Sequence, residues 1–137
     1  MAFRPASRDW SMRKIPTTVE TTYTAGMWIY NDGSQDNLPA TTTTQFGLLG
    51  IAQESKSSSA TTTDIHILVP NSMNSTFYAD GGSGTLTKEM EGDGFDFEAG
   101  GLTIAQATST YFTAELVKFK TASSGIFRLR GVYGVEN

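Results

Sequence analysis

A chain with one histidine and no cysteine has few ways to run covalent or metal chemistry near neutral pH. His66 is the only side chain whose ordinary pKa lies in that range, so a general base would have to be built around it. It stands in Asp64-Ile65-His66-Ile67-Leu68-Val69-Pro70, alternating with apolar residues. The period of two puts Ile65, Ile67 and Val69 on one face of a strand and His66 on the other, the setting of a surface or packing histidine. No nucleophile motif accompanies it, since Gly81-Gly82-Ser83-Gly84-Thr85 has Thr where a hydrolase elbow needs its last Gly. Lack of cysteine removes thiol nucleophiles, disulfides, zinc knuckles and iron–sulfur ligation together.

The carboxylates are the next candidates. Asp32-Gly33-Ser34-Gln35-Asp36 matches the first, third and fifth positions of an EF-hand calcium loop. The match then fails, with Asn37 where the invariant Gly belongs and Thr43 where a bidentate Glu belongs. Glu89 with Glu91, or Asp93 with Asp96, has the composition of a glycosidase pair, but that chemistry needs carboxyls facing each other across a cleft. Asp93, Asp96 and Glu98 supply charge enough for a cation, but carboxylates so close in a Gly-rich stretch read as a solvated acidic loop. No catalytic residue, metal or cofactor is expected.

The chain of 137 residues is long enough for one domain. Its net charge of -4 and pI near 4.8 argue against a general nucleic-acid binder, whose affinity comes from many Lys and Arg. With 20 Thr and 13 Ser, hydroxyls take the place of charge, and β-branched residues favour strands. No run approaches a membrane span, and the first residues lack the apolar core of a secretory signal, so a soluble, non-exported chain is expected. The Asn74-Ser75-Thr76 triplet carries no weight in a chain so rich in Ser and Thr.

Residues 1–16 hold Arg4, Arg8, Arg13 and Lys14 against Asp9, with Phe3 and Trp10 among them and no strand or helix period. They read as an extended arm that docks on an acidic, partly apolar surface, or else as a terminus folded back on its own domain. Residues 17–137 read as a β domain. Strands are expected at Thr17–Tyr23, Gly26–Tyr30, Phe46–Gln53, Asp64–Pro70, Ser75–Asp80, Gly101–Gln106, Thr110–Lys120 and Gly125–Tyr133. The glycines of the third run suggest a close approach or a bulge. Asn31 to Asn37 reads as a turn-rich loop, and Ser55–Thr63 as an exposed hairpin tip. Asp80 to Glu98 carries six acids and one base, an acidic loop facing the basic end in charge. Trp28, Tyr30, Phe77 and Tyr78 sit at strand spacing, as core rather than as a stacking platform. The expected fold is all-β: one small β-barrel or β-sandwich with an extended N-terminal arm.

The order of features is similar to a known class. Ala25 to Tyr30, Leu38-Pro39-Ala40-Thr41, Leu49-Gly50-Ile51-Ala52, the Ser/Thr-rich tip, Ile65 to Pro70, Phe77-Tyr78-Ala79-Asp80 with Gly-Thr-Leu-Thr, and Gly125-Ile126-Phe127-Arg128-Leu129 follow one another. The pattern resembles the small structural proteins of tailed bacteriophages that decorate or cement the capsid. The resemblance implies a virion protein on the outer capsid face, made in the bacterial cytoplasm, that is not an enzyme. It further implies a homo-oligomer, with a trimer favoured, bridging subunits of the major capsid protein. Within it, Phe3, Arg4, Arg8, Trp10, Arg13 and Lys14 are the candidate capsid contacts. Glu89, Glu91, Asp93, Asp96 and Glu98 are candidates for meeting Arg128 and Arg130 of a neighbouring copy. A neck or tail component and a carbohydrate-binding module are the alternatives; the latter would expose Trp28 or Tyr78.

Overall fold

The computed structural model describes residues 3–34, 36–41, 47–58, 60–106 and 113–130. These form an all-β domain. In chain order the strands are β1 (Arg4–Pro5), β2 (Trp10–Pro16), β3 (Thr21–Tyr23), β4 (Trp28–Asn31), β5 (Asn37–Pro39), β6 (Leu48–Ala52) and β7 (Lys56–Ser58). They continue with β8 (Asp64–Pro70), β9 (Thr76–Asp80), β10 (Gly94–Phe97), β11 (Ile104–Ala105), β12 (Ala114–Thr121) and β13 (Ser124–Leu129). Among the described residues a 3-10 turn spans Lys88–Met90.

All described pairings are antiparallel. One sheet runs β1-β9-β13-β12-β10-β11, a second runs β2-β8-β6-β4-β5, and β3 pairs with β7 in a separate ribbon. The two large sheets enclose the main core: Phe77, Phe95, Phe97, Leu116 and Phe127 from the first meet Trp28, Leu48 and Ile51 from the second. Because successive strand residues face opposite ways, Ile29 points to the other side of β4. There it joins Ile15, Ala52, Ile65 and Ile67 under Tyr23 of the ribbon. The second sheet is therefore covered on both faces at its centre, which is why β4 and β6 read as apolar runs rather than alternations.

Asp64–Pro70 is a strand with Ile65 and Ile67 buried and His66 exposed, as the alternation predicts. On β6, a Cβ on Gly50 would overlap the Leu68 carbonyl oxygen, the close approach expected of that glycine. The β4–β6 register also shifts between Ile29 and Tyr30, opposite it. β12 and β13 form the expected hairpin, closed at Thr121 and Ser124.

Three local expectations are corrected. The strand expected from Thr17 begins at Thr21, because the chain turns at Val19-Glu20 with Glu20 at φ 57°. The Ser/Thr-rich stretch is no free tip: β7 pairs with β3, and the buried Ser58 hydroxyl accepts a hydrogen bond from Thr17 Oγ1 at 3.2 Å. The acidic stretch is strand over Gly94–Phe97, where Phe95 and Phe97 anchor it in the core and carry Asp96 inside with them.

Candidate functional site

Of the two readings of the N-terminal residues, an arm reaching outward or a terminus folded back on its own domain, residues 3–16 follow the second. Phe3 is 1% exposed, and its ring stands edge-on to Phe77 and Phe97 at 5.5 Å between centroids. Its N–H donates to the Gly26 carbonyl at 2.9 Å. β1 then pairs with β9, placing the Arg4 guanidinium 4.5 Å over the Tyr78 ring and 3.5 Å from the Asp80 carboxylate. An aromatic residue with so much apolar area gains more by entering the core than by waiting for a partner.

Asp9 ties the next turn to the β8–β9 loop. Its carboxylate accepts from Ser7 Oγ at 2.5 Å, Ser75 Oγ at 2.6 Å and Ser72 Oγ at 3.3 Å. The hydrogen bonds from Ser7 and Ser75 hold the Asp9 carboxyl below the usual carboxylate range. Trp10 is half-buried; its indole N–H donates to the Thr76 carbonyl at 3.2 Å, and its ring lies 5.9 Å from Trp28. Of the six candidate contacts, Phe3 and Trp10 thus serve the domain's own packing and Arg4 its own ion pair. Arg8, Arg13 and Lys14 are exposed, beside Met12 at 60% exposure.

These residues lie on or beside β2, an outer strand of the five-stranded sheet. Sequence reading missed this edge. The signals were there in Lys14 and Pro16, residue types that guard sheet edges, and in the alternation around Ile15.

The acidic candidates are dispersed. Glu89 and Asp93 are exposed, and Asp96 is buried at 3% exposure. Glu91 accepts from Lys88 Nζ and from the Phe119 N–H, each at 2.9 Å, and these two bonds hold its carboxyl low. Glu98 is gripped by Ser83 Oγ at 2.7 Å and Thr103 Oγ1 at 2.5 Å, with the same effect. Arg128 pairs with Glu115 of the adjacent strand at 3.3 Å, and Arg130 Nη1 lies 3.5 Å from the Gly92 carbonyl. Both arginines therefore have partners inside their own chain.

Other candidates do not assemble. His66 pairs with Glu54 at 2.9 Å on the surface, and the His66 N–H and ring hold the Glu54 carboxyl low. Among the described residues no group of three His, Asp or Glu is placed to hold a metal ion. Asp32 Oδ1 accepts from the Ser34 and Asp36 N–H groups, the geometry of an Asx turn. Trp28 is fully buried, and Tyr78 lies under Arg4, which removes both rings proposed for sugar stacking.

No protein-family model matches the chain, and no curated protein matches it. Among solved structures it is similar to the N base of the head fiber gp8.5 of bacteriophage phi29, at 10% identity and a TM-score of 0.54. The likeness covers 88% of this chain and 95% of that one. At that identity it is a likeness of fold.

Proposed function

We propose that this chain is a structural protein of a tailed-phage head, not an enzyme, and that it sits on the outer capsid surface and bridges major capsid protein subunits. The observation that carries the reading is the fold shared with the phi29 head fiber base over nearly the whole of both chains. A fold alone does not assign a role, so the residues must supply the rest. Arg8, Arg13 and Lys14 on one edge offer a cationic contact, and their exposure leaves them available to a partner. A homo-oligomer, with a trimer favoured, multiplies that small contact by avidity.

The experiment is co-sedimentation of the purified protein with expanded capsids that lack it, counting bound copies per capsid subunit. Saturation near the number of capsid subunits, or at one trimer per local threefold, supports the reading. A handful of copies per particle assigns the chain to the neck or tail instead, and absence of binding removes the virion-surface role. An Arg8→Glu, Arg13→Glu, Lys14→Glu variant is expected to bind at least about tenfold more weakly.

A further inference from the structure

We propose that the outer edge of β2 is a strand-addition site, which pairs through its backbone with an extended, acidic segment of a partner protein. The proposal rests on the capsid reading for the partner's identity, and on geometry for everything else.

The two large sheets leave four edges, and three are short: β1 and β11 have two residues each and β5 has three, as do both strands of the β3–β7 ribbon. β2 has seven, all paired on one side with β8 from Trp10↔Pro70 to Pro16↔Asp64. An antiparallel ladder alternates, so the residues bonded to β8 fix which ones face outward. Asn71 N–H donates to Asp9 O at one end, and Thr17 N–H donates to Thr63 O at the other. The odd-numbered residues between them are therefore turned to β8. His66 checks the parity independently: its N–H goes to Glu54 and its C=O receives Gln53 N–H, both away from its partner Lys14. Trp10, Met12 and Lys14 consequently aim N–H and C=O away from the sheet. The outward carbonyl of Pro16 is already taken by Asn37 Nδ2 at 2.8 Å, which sets the end of the open stretch.

Charge selects the occupant. Ser11, Met12, Arg13 and Lys14 are all exposed, and Arg8 precedes them. The nearby carboxylate of Asp9 is enclosed by Ser7, Ser72 and Ser75. A strand added at the usual spacing of about 4.8 Å would bring its side chains beside Arg13 and Lys14, on opposite faces of the ladder. Adjacent acids in that strand pair with both. A second copy of β2 in the same place would bring like charges together, and Lys and Pro on an edge act against such self-pairing. A partner strand held this way gains affinity from main-chain bonds and selectivity from its side chains.

The test joins amide exchange to capsid binding. A nine-residue peptide of Thr and Val with two adjacent central Glu is titrated against the protein, with a twin carrying Lys in their place. Slower exchange at Trp10, Met12 and Lys14 with the Glu peptide alone, leaving Ser11 and Arg13 unchanged, supports strand addition. No slowing at millimolar peptide overturns it, whether or not capsids bind. In the capsid assay Met12→Pro removes an outward donor without touching the β8 ladder, a position where proline is tolerated. Folded Met12→Pro binding at least about tenfold more weakly than the parent supports the proposal. Folded Met12→Pro binding as tightly as the parent overturns it while the capsid reading stands. Should Met12→Pro not fold, Arg13→Glu with Lys14→Glu keeps the ladder and is read by amide exchange: loss of the Glu-peptide slowing at Trp10, Met12 and Lys14 supports the proposal, and slowing equal to the parent's overturns it.

Discussion

Asn37 on β5 donates through Nδ2 to the carbonyl of Pro16 on β2, at 2.8 Å, joining the two outer strands of the five-stranded sheet. The same residue donates its backbone N–H to Thr18 Oγ1 at 2.8 Å and accepts from the Tyr23 hydroxyl at 2.6 Å. Its side-chain oxygen accepts from Asn31 Nδ2 at 2.8 Å. The sheet thus curls until the Pro16 end of β2 meets Asn37 of β5 at one buried amide, beyond the stretch from Trp10 to Lys14.

Asn37→Ala is expected to destabilise the fold by about 1–3 kcal/mol, since it leaves the Pro16 carbonyl and the Asn31 amide without their partner. Urea denaturation of the two proteins measures the difference. A loss of a few tenths would show that water replaces the amide at no cost.

Phe3→Ala should cost about 3–5 kcal/mol, the range for removing a buried phenyl ring. Phe3 is 1% exposed between Phe77 and Phe97. Removal of the N-terminal segment therefore tests stability before it tests binding, and point changes at Arg8, Arg13 and Lys14 are the cleaner probe of partner contact. A melting temperature unchanged in Phe3→Ala would refute the packing role.

Acid should weaken the domain in part through Asp9. Its folded pKa is lowered by the Ser7 and Ser75 hydrogen bonds, whereas the unfolded chain titrates near the ordinary value of about 3.9. The stabilisation is complete above that ordinary value. It is lost as pH falls from there through the lowered folded value, where the unfolded state binds the extra proton first. Asp9→Asn should thus be less stable than the parent at about pH 7, with the gap narrowing as the pH falls below about 3.9. A gap of constant size across that range, measured by denaturant midpoints, would exclude the linkage.

Arg128→Ala should change stability by less than about 1 kcal/mol. Its pair with Glu115 is 3.3 Å long, but the arginine side chain is 40% exposed, and such pairs give little net energy in water. Thermal melts of Arg128→Ala and Glu115→Ala, singly and together, check this, and a coupling above about 2 kcal/mol would contradict it.

Strand character and facing were legible in the residues, because the alternation of side chains across a strand is a local property. Ile65, Ile67 and His66 fall on the faces their parity requires, and Phe127 and Leu129 point inward while Arg128 points out. The hairpin at Thr121–Ser124 was legible for the same reason. The candidate site was legible only as composition: the basic residues near the N-terminus stood out, but their separation into core, ion-pair and exposed members did not.

The sequence by itself determined an all-β chain without the residues for thiol or zinc–thiolate chemistry, and determined which side of each clear strand is apolar. Only the tertiary structure decided that Phe3 fills the core, that Asp96 is carried inside by its phenylalanine neighbours, and that β2 is an outer strand among the described residues. Strand order depends on contacts between residues far apart in the chain, such as Lys14 with His66 and Asn37 with Pro16. A local pattern of residue types holds the preference for a strand, but the identity of a strand's neighbours comes from the burial and hydrogen bonding of the whole domain.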